Sequence, residues 1–107
     1  MTFHALDVSL DLVRSLRSPA EIVQQHDAAL ASQLRRAAAS VPLNLAEGRR
    51  RSGRDRLHHF RIAAGSADEV RACLLVAQAW GWVPVEAMTG SLALIDRVLA
   101  MCWRLTR

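Results

Sequence analysis

The sequence predicts an all-α protein, one domain over residues 1–107, built as an antiparallel up-down-up-down four-helix bundle with a proline-kinked second helix. Three observations predict it. Hydrophobic residues make up 51% of the chain, and Leu and Ala recur at steps of three and four. No stretch alternates with the period of two that marks a strand. Turn signals divide the chain into a few long segments with short links, and short links force neighbouring helices to run antiparallel. A chain of 107 residues has length for one real core and not for two.

Leu6, Leu10, Val13 and Leu16 mark one face of a first helix over residues 4–17. Ser18-Pro19-Ala20-Glu21 then reads as a stop and a start, with Ser18 as cap, Pro19 at the first helical position and Glu21 closing a capping box. A short turn of helix follows before Asp27, the expected cap of the second long helix. That helix spans residues 28–48 and buries Leu30, Leu34, Ala37, Ala38, Val41 and Leu45. Pro42 lies inside it, removing one backbone donor and pressing on the carbonyl of Ala38, at roughly 3 kcal/mol in an ordinary helix. Asn44 and Glu47 are placed to rejoin the disturbed backbone or a facing helix, and Gly48 reads as the helix end.

Ser52-Gly53-Arg54-Asp55 is a second capping box and opens the third helix. Its stripe is Leu57, Phe60, Ala63, Ala64, Ala67, Val70, Leu74 and Ala77. Gly81 closes it, and Pro84 starts a fourth helix bearing Val85, Met88, Leu92, Ile95, Leu99 and Cys102. Leu75, Val76, Leu94, Val98 and Met101 fall outside single stripes, so either the core is wide or a second face meets another subunit. Trp82, Trp103, Leu94, Val98 and Met101 are the candidate oligomer contacts. For the tryptophans, packing beneath a loop is the alternative.

If the second and third helices are antiparallel about residues 51 and 52, Ala37-Ala38-Ala39-Ser40 faces Ala63-Ala64-Gly65-Ser66. Two small-residue patches then meet. The same register sets Arg35 and Arg36 opposite Asp68 and Glu69, Asn44 near His59, and Glu47 near Arg56.

All 14 basic side chains are arginine, against 10 acids. Eight of the arginines lie in residues 35–61, with only Glu47 and Asp55 to balance them. The positive field is therefore local to one helix-helix turn and invites phosphates or an acidic partner. Arg49, Arg50, Arg51, Arg54 and Arg56 are the candidate nucleic-acid-binding residues, since a guanidinium matches phosphate oxygens with a planar fork. A solvated loop in an arginine-biased chain is the competing reading. No aromatic residues interleave with this turn, so base-specific readout is not supported.

Other chemistry finds little footing. Cys73 and Cys102 lie in apolar helical stretches and read as reduced core thiols. His58 and His59 are adjacent, hence about 100° apart on a helix, and do not address one metal together. No Glu-x-x-His signature occurs. No cofactor, metal, small-molecule substrate or catalytic residue is expected. The longest uncharged run, residues 72–85, is too short to span a bilayer and holds Gly81 and Pro84. A cytoplasmic protein is expected.

Gln33-Leu34-Arg35-Arg36-Ala37-Ala38-Ala39-Ser40-Val41-Pro42-Leu43-Asn44-Leu45-Ala46-Glu47-Gly48, followed by Phe60-Arg61-Ile62-Ala63-Ala64-Gly65-Ser66 and Glu69, resembles the four-helix-bundle family of 23S rRNA intervening-sequence proteins. In that family the pattern is an Ile-Pro-x-Asn-Ile-Ala-Glu-Gly segment and an Ala-x-Gly-Ser-x-x-Glu segment. Val41 and Leu45 replace the isoleucines here. The resemblance singles out Arg36, Pro42, Asn44, Glu47, Gly48, Gly65, Ser66 and Glu69 as a structural motif. It implies a left-handed antiparallel bundle assembling into a ring-like homo-pentamer. A distant cousin is the accessory protein of diversity-generating retroelements, a basic pentamer that works with a reverse transcriptase and nucleic acid; it lacks the Asn-x-x-Glu-Gly motif.

The expected function is therefore a non-enzymatic, oligomeric bundle that binds nucleic acid, structured RNA foremost, through its arginine-rich turn. The alternative is a protein-protein scaffold whose charged turn recognises an acidic partner, including a reverse-transcriptase-accessory role.

Overall fold

Five helices, and no strand among the described residues, make up the computed structural model, which describes residues 3–107. They are α1 (His4–Ser15), α2 (Arg17–His26), α3 (Ala28–Arg49), α4 (Gly53–Ala79) and α5 (Val85–Leu105). The all-α class holds, but the count is five rather than four. The extra helix comes from the Ser18-Pro19 segment. The break falls earlier, at Leu16, whose φ of −89° and ψ of −4° keep it nearly helical, so α2 follows α1 without a spacer. Ser18 caps nothing and forms no capping box with Glu21. Pro19 sits in the first turn, where its missing N–H had no intrahelical partner to lose. The stretch expected to be one turn is thus a ten-residue helix packed on α3.

α1 packs on α5 and α3, α3 on α4, and α4 on α5, along a long axis of 42 Å. Leu12, Leu34, Leu45, Leu74, Met88 and Ile95 are the large side chains closed off at its centre. The α1 face is rotated from the expected one. Ala5, Val8, Leu12 and Leu16 are buried, whereas Leu10 is exposed: α1 is apolar on two sides, and its packing on α3 and α5 selects the inner one. On α5 the buried row is Met88, Ser91, Ile95, Val98 and Cys102. Three hydroxyls here find partners: Ser9 Oγ donates to Leu6 O at 2.7 Å within α1, and Ser15 and Ser91 Oγ meet at 2.8 Å across α1 and α5.

Asp27 caps α3 as expected, its Oδ1 accepting from Leu30 N at 3.0 Å. The helix runs unbroken through Pro42, which is itself buried. At the end of α4, Gly81 takes φ +81°, and Gly81 N and Trp82 N donate to Gln78 O and Ala77 O. This left-handed closure satisfies the last carbonyls of the helix.

Both cysteines are free and buried. Burial pushes the Cys102 thiol up to about 11 from an ordinary 9.0, and raises that of Cys73 as well, where the charge of Glu69 adds to desolvation. An unfolded chain releases these protons from about pH 9, while the folded one holds them. Stability is therefore full below pH 9 and falls as the pH climbs towards 11, by on the order of 2–3 kcal/mol for a shift of this size. The chain has no lysine and no tyrosine to titrate in that window. Thermal melts across it should show the loss, and Cys102→Ala should flatten the curve.

Candidate nucleic-acid interface

The α3–α4 hairpin carries both the arginine-rich tip and the residues singled out as a motif. Its antiparallel register is fixed by four polar side chains. His59 Nδ1 and Asn44 Oδ1 lie 3.0 Å apart, and Ser66 Oγ donates to Ser40 Oγ at 2.8 Å. Asn44 Nδ2 donates to Ser40 O at 2.9 Å and lies 3.0 Å from Ser40 Oγ. A continuous hydrogen-bonded seam thus crosses the two helices. Asn44 does rejoin the backbone near Pro42, though at the carbonyl of Ser40 and not that of Ala38.

Gly48 lies further down the same seam. It does not end α3, which continues through Arg49. A Cβ there would stand 2.7 Å from a ring carbon of Phe60 and 3.2 Å from His59 Cβ, so the glycine is required by close approach. Gly65 plays no such part: a Cβ there meets nothing within 4 Å. The tight contact falls to Ala37, Ala38, Ala63 and Ala67, all buried, instead of to Gly65.

The long charged pairs form differently from the expected register. Arg35 donates to Gln24 at 2.7 Å, and Asp68 and Asp96 both pair with Arg71. Arg36 and Glu69 make no ion pair among the described residues. With Gln33, Ala37, Ser40 and Ser66 they line an open polar recess of about 340 Å³. Glu47 pairs with Arg51 at 2.7 Å and not with Arg56.

At the tip, the five candidate arginines divide into two groups. Arg51 bridges Glu47 and Asp55, at 2.7 and 2.8 Å, and so ties the end of α3 to the start of α4. This contact holds the Glu47 carboxyl below its ordinary range and raises the Arg51 guanidinium. Asp55 is consumed by it, and Ser52 makes no side-chain capping bond. Arg56 donates to Gly48 O at 3.2 Å, which also accepts from Arg51 N at 3.1 Å, and to Arg49 O at 2.9 Å, so it ties the start of α4 to the last carbonyls of α3. Gly53, at φ +59°, supplies the left-handed residue that lets so short a loop reverse the chain.

The other three face outward. Arg49 lies over the Phe3 ring at 5.4 Å, a contact that leaves its charge uncompensated. Arg50 is four-fifths exposed and reaches Glu47 only at 3.9 Å. Arg54 is exposed and has no hydrogen bond or ion pair among the described residues. His58 and Arg61 extend this surface, because steps of four and three put them on the Arg54 face of α4, and both are exposed. That spacing was present in the sequence and could have been read there.

The candidate oligomer contacts are placed unevenly. Val98 is fully buried in the chain's own interior, whereas Leu94 and Met101 are half-buried, packed against the core and still partly open to solvent. Trp103 is exposed, with the Arg107 guanidinium 4.0 Å above its ring. Trp82 is half-buried in an aromatic stack. Exposed Leu75 and Val76 leave apolar surface uncovered near the end of α4, and exposed Ile62 stands apart from them, thirteen residues before Leu75. No group of three or more metal-ligating side chains occurs among the described residues, and no helix described is long and apolar enough to cross a membrane.

Fold and site together define an all-helical protein whose longest hairpin is pinned by a polar seam and tipped with outward arginines. The chain belongs to the family of 23S rRNA-intervening sequence proteins, whose family model matches residues 4–104. A solved structure, a protein of unknown function from the S23 ribosomal protein family of Bacteroides thetaiotaomicron, is similar with a TM-score of 0.86. The match covers 96% of this chain and 98% of that one at 15% identity, a likeness of fold. A search of curated proteins found no match.

Proposed function

We propose that this chain is a non-enzymatic, cytoplasmic four-helix-bundle protein, with α1 and α2 forming the first arm, that assembles as a homo-pentamer and binds structured RNA through the α3–α4 tip. One observation carries the reading: Arg49 and Arg54 stand outward with no acid partner among the described residues and Arg50 reaches Glu47 only at 3.9 Å, on a turn made rigid by Arg51 and Arg56. A preorganised turn loses little freedom on binding, and a ring of subunits multiplies weak phosphate contacts into avidity. Exposed Leu75 and Val76, near the end of α4, support a subunit contact there.

Binding of this kind is backbone-driven. Three phosphate contacts per tip on duplex RNA correspond to log K falling by about 2.7 per log unit of salt, taking the B-DNA value as guide. An anisotropy titration with structured RNA at two salt concentrations reads this slope, and light scattering reads the mass of the assembly. Absence of binding at low salt removes the RNA reading. The exposed Leu75 and Val76 favour a second one, a protein scaffold whose charged turn recognises an acidic protein partner, including a reverse-transcriptase-accessory role. In that case RNA leaves the anisotropy unchanged while an acidic protein raises it.

A further inference from the structure

At the end of the molecule opposite the arginine tip, the seam between α3 and α4 runs out. Trp80 follows His59, Ser66 and Cys73 at steps of seven, the spacing that faces α3. α3, however, begins only at Ala28. Beyond that point the partner is His26, the last residue of α2, and the contact is made of rings. His26 and Trp82 stack with centroids 5.1 Å apart and planes within 3°, and Trp82 and Trp80 stack at 5.7 Å and 11°. Three separate parts of the sequence logic (the end of α2, the last turn of α4 and the Gly81 reversal) are needed to build this column.

Trp82, the middle ring, is half-buried and its backbone N–H is tied to Ala77 O at 3.0 Å. Trp80 is 68% exposed. The stack therefore ends in a flat indole that is held in position from below and open above. Cores bury tryptophan; here the protein orders two of them and leaves one largely in water. What continues a parallel column is another flat ring, since aromatic pairs favour offset stacking at these separations. Arg35, whose hydrogen bond goes to the neutral amide of Gln24 near the same end, supplies a positive charge without an acid partner.

We propose that the exposed face of Trp80, stacked on Trp82 and His26, is a platform for an unpaired nucleobase, so that single-stranded segments of a bound nucleic acid are held at the end remote from the arginines. The proposal rests on the nucleic-acid reading above and narrows it to strands with unpaired bases. Stacking of this kind tolerates any base, because each has a π-face.

The test uses the full chain in a Trp103→Phe background, where emission reports Trp80 and Trp82 alone. The probes are a single-stranded oligoadenylate long enough to span the 42 Å axis and an RNA duplex of equal length. The single strand should quench the emission. Trp80→Ala should weaken single-strand binding about tenfold and leave duplex binding unchanged, and Trp80→Phe should restore most of the loss. Equal binding of both probes by Trp80→Ala and its parent overturns the platform and leaves the tip intact. Quenching that survives in the Arg50→Ala/Arg54→Ala protein at undiminished affinity supports the platform and removes the tip. No binding of either probe removes both. A Trp80→Ala protein that changes only its mass by light scattering makes the indole a subunit contact and overturns the proposal.

Discussion

Replacing Arg50 and Arg54 together by alanine lowers affinity for structured RNA by about 30-fold, if each outward guanidinium contributes on the order of 1 kcal/mol to a phosphate contact. The same change flattens the salt dependence by about 1.8 log units per log unit of salt, because two phosphates are no longer neutralised. Neither side chain supports the fold: Arg50 is exposed with only a distant acid, and Arg54 has no partner among the described residues. The melting temperature of the double variant should match the parent, and so should its mass. Arg51→Ala and Arg56→Ala are the informative contrast. They remove the bridge between Glu47 and Asp55 and the donors to Gly48 O and Arg49 O. These variants loosen the turn, so they should lower binding together with local protection of the tip amides from exchange. The Arg51 guanidinium holds the Glu47 carboxyl below its ordinary value, so the Glu47–Arg51 contact is lost only as the pH falls through that lowered value. RNA affinity that ignores Arg50 and Arg54 but follows Arg51 would place the binding surface elsewhere.

Much of this architecture was legible because its signals are local. Asp27 caps the helix it precedes, Gly81 closes the helix it follows, and the Asn44–His59 and Ser40–Ser66 pairs fall where an antiparallel hairpin puts them. The illegible parts involve a choice between similar neighbours. α1 has two apolar sides, and only the packing of α3 and α5 decides that Leu12 goes inward and Leu10 outward. Ser18 offered a cap, but Leu16 keeps the backbone nearly helical across the break, and no spacing rule weighs those options. At the tip, one acid near several arginines has several possible partners. Glu47 takes Arg51, four residues on in the loop just past the end of its own helix, which needs less side-chain ordering than reaching across to Arg56 on α4. The stack of His26, Trp82 and Trp80 was beyond reach because it joins residues through the point where α3 stops.

Gly48 and Gly65, one in each half of the family motif, should respond to an added side chain with opposite sign. At Gly65 a Cβ meets nothing within 4 Å and the residue is exposed in mid-helix, so Gly65→Ala gains about 0.5–1 kcal/mol of helix stability. At Gly48 the added carbon would stand 2.7 and 2.8 Å from two ring carbons of Phe60. Phe60 is only 3% exposed and its ring has no open space to rotate into, so α3 and α4 must separate. Overpacking of this kind costs about 1–3 kcal/mol, which outweighs the few tenths that valine gains over glycine in a helix. Gly48→Val should therefore melt about 10 °C below the parent, at 4–8 °C per kcal/mol for a domain of this size. Because the strain lies between two named side chains, Phe60→Leu in the same protein should recover part of the loss, a coupling that two independent sites would not show. A Gly48→Val protein as stable as its parent would mean that the two helices stand further apart at Phe60, and that the motif glycine answers to something outside the single chain.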